Sequence, residues 1–215
     1  MDLLLHLVDF ILHLDVHLDE LVADYGTWIY VILFLIIFCE TGLVVMPLLP
    51  GDSLLFAAGA VAASGRLDIG LLCILLIVAA ILGNAVNYWV GRTAGLTLQR
   101  RFPRLIRQEY LDKTHAYFER YGGKTVVIAR FVPIVRTVAP FAAGVGRMSH
   151  LRYQSYNVAG SVLWVLLLVP AGYFFANVRI VRENFSVVVL AIVFLSVLPA
   201  LVEFLRQRGR AATSR

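Results

Sequence analysis

Charge and cysteine are both scarce in this chain. Asp, Glu, Lys and Arg make up 15% of its 215 residues, against 60% apolar, and the mean hydropathy is +0.82. A soluble domain carries about 25% charged residues, so the composition argues against one. Alternating ten-residue segments of the transmembrane-barrel kind are absent, which leaves an all-α polytopic membrane protein. The two cysteines, Cys39 and Cys73, lie in apolar runs and read as buried thiols rather than a disulfide. Met1 to Asp24 has neither a basic leader nor a small-residue cleavage site, so no cleavable signal is expected there. Gly51-Asp52-Ser53 is not a G-x-S-x-G elbow, and no histidine lies in an apolar stretch near the charged turns, so an intramembrane hydrolase is disfavoured and the chain reads as a non-enzyme. His13 and His17 have i, i+4 spacing but no third ligand, so neither a metal nor another cofactor is expected.

What is present is a series of apolar segments, two of them broken. Polar residues at Asp2, His6, Asp9, His13, His17, Glu20 and Asp24 form one stripe, which predicts an interfacial amphipathic helix over 1–24. Residues 25–64 form a first anomaly: Glu40 and Asp52 lie in apolar sequence with Pro47, Pro50 and Gly51 between them. The arm from Ser53 to Ala63 is too short to cross, so a re-entrant hairpin turning at the prolines is predicted. Residues 68–90 read as a full span, with Asn84 and Asn87 able to hydrogen-bond between helices or line a cavity, and Gly83, Gly91 and Gly95 mark close packing.

Residues 92–124 hold eight bases and three acids. Between membrane segments this pattern indicates a cytoplasmic amphipathic connector rather than a nucleic-acid site. Residues 125–146 are the second anomaly, with Arg130, Pro133, Arg136 and Pro140 in their middle, and they read as a second re-entrant hairpin. Phe56-Ala57-Ala58-Gly59 is echoed by Phe141-Ala142-Ala143-Gly144, which suggests an internal repeat. Spans follow at 156–175, carrying Asn157, and at 185–205, and 206–215 is a basic tail without acid.

Placing every basic segment in the cytoplasm puts the N-terminus on the outer side and makes the two hairpins open to opposite faces. The fold expected is two inverted repeats, each a re-entrant hairpin plus a transmembrane helix, with the N-terminal amphipathic helix and an additional C-terminal span. Glu40, Asp52, Arg130 and Arg136 then meet within the bilayer. They are either salt bridges holding the hairpins together or a site where arginines grip phosphate oxygens and carboxylates handle protons.

Glu40-Thr41-Gly42, then Pro47-x-x-Pro50-Gly51-Asp52, then Arg130-x-x-Pro133-x-x-Arg136, resemble the DedA family of bacterial inner-membrane proteins, within the VTT-domain group. Ala143-Gly144, Met148, Asn157, Gly160 and Trp164 extend the resemblance over nearly the whole chain. One departure is Asn84, where many members have Asp. The resemblance implies a flippase returning undecaprenyl phosphate across the inner membrane with proton coupling, with Arg130 and Arg136 on the phosphate and Glu40 and Asp52 moving protons. Its partners would be that polyprenyl phosphate, protons and the bilayer, without nucleic acid. A proton-coupled small-ion exchanger, a lipid scramblase and a purely structural membrane protein are the other readings.

Overall fold

The computed structural model describes residues 25–43, 51–101, 122–130 and 133–178. The expectations for 1–24, for Pro47 and Pro50, for 102–121, for the span at 185–205 and for the tail lie outside these residues. Those described are helical, without strands: α1 (Trp28–Gly42), α2 (Gly51–Ala63), α3 (Ile69–Arg101), a 3-10 turn (Gly122–Lys124), α4 (Thr125–Ala129), α5 (Pro133–Val145) and α6 (His150–Phe175).

Two of these helices are long and apolar enough to cross a membrane, Ile69–Ala94 within α3 and His150–Phe175. Each has 26 residues, about 39 Å at 1.5 Å per residue, against a hydrocarbon core of about 30 Å. Both extend beyond the expected spans. Helix α3 starts where Asp68 caps it, its Oδ1 accepting from Leu71 N at 2.7 Å. It runs past Val90 into the expected connector because no breaker intervenes before Pro103. Helix α6 begins six residues before Tyr156, at His150.

These helices are apolar on their outer face as well as on much of their packed face. On α3, Leu71, Ile74, Val78, Leu82, Val86 and Trp89 point outward and are exposed, whereas Asn84, Asn87 and Tyr88 are buried. An exposed apolar stripe of this length is stable against lipid and costly against water. The same condition hides the answer for Cys39: Ile29, Leu33, Ile37 and Glu40 form the inward stripe of α1, and Cys39 lies off it and is exposed. The expectation of two buried thiols therefore holds for Cys73 and fails for Cys39, because an apolar run does not reveal which side faces lipid.

The short helices α1, α2 and α5 have 15, 13 and 13 residues, about 20 Å each, too short to span. They do not pack chiefly on their sequence neighbours. Helix α1 lies on α3, α2 on α6, and α5 on α3. Glycines set these joints. A Cβ on Gly59 would enter Val169 O, and one on Gly172 would enter Phe56 O. At the other joint, a Cβ on Gly144 would enter Tyr88 O, and one on Gly91 would enter Phe141 O. The Phe-Ala-Ala-Gly echo thus occupies equivalent packing positions in α2 and α5, each helix touching backbone to backbone with a long helix from the other half of the chain. Gly83 likewise meets Thr41 and Phe38 of α1, as close helix approach in a membrane requires.

Candidate functional site

Arg130 caps the C-terminal end of α4, and Pro133 opens α5. Proline suits a first helical position because its missing N–H would find no intrahelical partner there. Inside α5, Pro140 offers no N–H to the Arg136 carbonyl. Asn87 of α3 ties the broken elements together, its Nδ2 donating to Thr41 O of α1 at 3.3 Å and to Thr137 O of α5 at 3.1 Å.

Arg136 holds both acids. Its Nη2 donates to Glu40 Oε1 at 2.6 Å and its Nη1 to Asp52 Oδ1 at 2.9 Å. Glu40 is 2% exposed, so this ion pair sits out of solvent, where loss of one partner is costly. The other carboxylate oxygen of Glu40 abuts Gly51, where any Cβ would collide with it. Gly51 opens α2, so the carboxylate lies at the positive end of a helix dipole. Gly51 is therefore a space requirement of the site and not merely a turn residue.

Arg130 is held differently. The sequence suggested two acid–base pairs, but among the described residues Arg130 makes no ion pair. Its Nη2 donates to Asn157 Oδ1 at 2.9 Å and to Ser161 Oγ at 2.5 Å, both neutral. Its Nε is buried without an acceptor. Gly160 makes room for it, since a Cβ there would lie 3.0 Å from that Nε. Asn84 extends the network, donating to Asn157 Oδ1 at 3.1 Å, and Asn157 Nδ2 donates back to Ile81 O at 3.1 Å.

A small cavity of about 20 Å³ lies between these groups, lined by Glu40, Asn84, Arg130, Arg136 and Trp164. That volume holds one water molecule and no phosphate group. Of the suggested lining residues, Asn84 faces the cavity, whereas Asn87 and Asn157 act from behind it as clamps. Sequence reading assigned no role to Ser161 or Trp164. The signal lay in Asn157, Gly160, Ser161 and Trp164, whose steps of three and four put them on one face of α6. Trp164 Nε1 donates to Asp52 Oδ1 at 2.8 Å.

The VTT domain model matches residues 49–174, which include α2 through nearly all of α6 and both arginines. The chain belongs to the VTT-domain (DedA) family. It is 53% identical over 215 residues to Protein DedA of Escherichia coli (strain K12), covering 99% of this chain and 98% of that one. It is 42% identical over 177 residues to an uncharacterized membrane protein of Mycobacterium tuberculosis, covering 81% and 78% of the two chains. Against Inner membrane protein YqjA of Escherichia coli (strain K12) it is 38% identical over 149 residues, 67% of this chain and 66% of the relative. No solved structure matches the chain. Family membership and the outward apolar faces of α3 and α6 together make it a membrane protein.

Proposed function

We propose that this protein is a carrier, or flippase, for a lipid-linked anionic phosphate, with undecaprenyl phosphate as the substrate that the family resemblance suggests. The observation that carries the reading is the unequal state of the two arginines. Arg136 is occupied by Glu40 and Asp52, while Arg130 lines the cavity, makes no ion pair among the described residues and keeps a buried Nε without an acceptor. An anion entering there meets one guanidinium held only by neutral partners and a second that can exchange carboxylates for phosphate. Guanidinium geometry suits both ligands in a forked mode. When phosphate takes Arg136, two carboxylates lose a positive partner, and uptake of a proton by one of them relieves the buried charge. That competition is the coupling we assign to Glu40 and Asp52.

The two glycine joints support a repeat architecture in which short broken helices from opposite halves meet near the midplane. The proposed orientation keeps the basic connector and the arginine tail in the bacterial cytoplasm and the N-terminus in the periplasm. Purified full-length protein in liposomes should accelerate the exchange of a labelled polyprenyl phosphate between leaflets, and Arg136→Ala should abolish the gain. Exchange identical with and without protein would remove the reading.

A second reading, a proton-coupled exchanger of small ions, is favoured by the cavity, which in this state admits about one water. It requires ion or proton flux in liposomes without a phosphate lipid, and Glu40→Gln should abolish that flux.

A further inference from the structure

Trp164 touches every charged group that matters here except Glu40. Its indole N–H donates to Asp52 Oδ1 at 2.8 Å, the same oxygen that accepts from Arg136 Nη1 at 2.9 Å. Its ring centroid lies 5.7 Å from Arg130 Cζ and 5.7 Å from Arg136 Cζ, both within cation–π range of about 6 Å. The residue is 3% exposed and lines the cavity. Indole is neutral and offers one donor and no acceptor. It therefore holds two guanidiniums without neutralising either, which a carboxylate at this position could not do.

We propose that Trp164 is the positioning residue of the anion site, retaining Asp52 through its indole N–H so that Arg136 is released to a phosphate monoester. This rests on the anion-carrier reading and specifies how that site opens. When Arg136 turns to phosphate, Asp52 keeps the indole donor, while Glu40 Oε2 lies against Gly51 without a hydrogen-bond partner. Asp52 is therefore not left bare and competes less strongly for the arginine, while Glu40 is the acid left to take up the proton. The ring meanwhile keeps both guanidiniums on the cavity, one already turned to neutral partners and the other leaving its carboxylates. Packing alone would also bury a tryptophan, but it would not require one indole to bond an acid and face two cations.

The test uses the full chain in detergent with farnesyl monophosphate as the probe, binding being measured independently with radiolabelled compound. The chain has three tryptophans, and Trp28 and Trp89 are exposed, so Trp28→Phe with Trp89→Phe leaves Trp164 as the sole emitter. Its emission should change saturably as farnesyl monophosphate binds and stay flat with farnesol. An equal response to inorganic phosphate assigns the bare anion as ligand, and a response confined to the monoester assigns a lipid headgroup; either supports the inference. Trp164→Phe keeps a ring but removes the donor, and should weaken binding about tenfold, the size of one hydrogen bond to a charged acceptor. In an Asp52→Ala background the same change should cost nothing more, because the acceptor is gone. Binding of radiolabelled monoester with flat Trp164 emission overturns the positioning role alone, as do additive losses in the double variant. Should Trp164→Phe fail to fold, the emission titration decides by itself. Absence of any binding of farnesyl monophosphate or phosphate to the unsubstituted protein overturns the anion reading and this inference with it.

Discussion

Arg136 and Glu40 stand 96 positions apart in the chain and meet at 2.6 Å, and the same guanidinium also closes on Asp52. One arginine from α5 thus joins the end of α1 to the start of α2. A contact this buried costs several kcal/mol per ion in lost hydration, so it persists only because the geometry and the neighbouring donors compensate. In the carrier proposed above, this contact is the clamp that a competing anion releases.

Removing that clamp should destabilise the protein. Arg136→Ala leaves Glu40 without its cation, and a loss of about 3 kcal/mol is expected from breaking a buried pair on one side. Thermal unfolding in detergent measures it. Adding Glu40→Gln and Asp52→Asn to the same chain should recover much of the loss, because no uncompensated charge then remains. If the triple variant is no more stable than Arg136→Ala, the ion pair is not what the loss reflects.

Asn157→Asp separates charge from architecture. The substitution keeps size and places a carboxylate where Arg130 now finds a neutral oxygen at 2.9 Å. The new Arg130 ion pair offsets part of the loss of the Nδ2 donor to Ile81 O, so the helices should remain folded with a modestly lowered unfolding temperature, while phosphate-lipid exchange falls by at least tenfold because Arg130 becomes paired. Retained exchange in liposomes would mean that Arg130 does not serve the anion.

Gly51→Ala tests the space beside Glu40. Any Cβ there meets the carboxylate, so Glu40 must swing away from Arg136 or α2 must shift. We expect a stability loss of about 1–3 kcal/mol, the usual cost of overpacking, read as a lower unfolding temperature. Gly70→Ala is the control: its Cβ would meet only Asp68 Oδ1 at 3.2 Å, and the change should stay within about 0.5 kcal/mol.

The two glycine joints should respond alike. Gly59→Leu drives a side chain into the Val169 carbonyl of α6, and Gly144→Leu drives one into the Tyr88 carbonyl of α3. Backbone cannot yield as a side-chain tip can, so both should lower the unfolding temperature sharply and by similar amounts. A large effect at one joint and none at the other would remove the equivalence of the two joints.

Much of the architecture is legible in the residues themselves. Lipid demands long apolar runs and satisfied backbone groups, so the spans within α3 and α6 could be read directly. The boundaries at Arg101 and His150 were less legible, since polar helix formers continue a helix beyond the bilayer without any signal of their own. Cys39 shows a second limit: in a membrane both the lipid side and the packed side are apolar, so hydropathy gives length but not facing.

By itself the sequence determined that the chain is helical and membrane-embedded, and that four charges lie in apolar company with prolines beside them, because each of those properties is local. Which arginine takes the acids was decided only by tertiary structure. Two guanidiniums of equal charge are equivalent in a string of residues. They became unequal when Asn157, Ser161 and the gap left by Gly160 received Arg130, and the ends of α1 and α2 converged on Arg136. Electrostatic partnership falls off with distance through a low-dielectric interior, and those distances exist only once helices from both halves have packed.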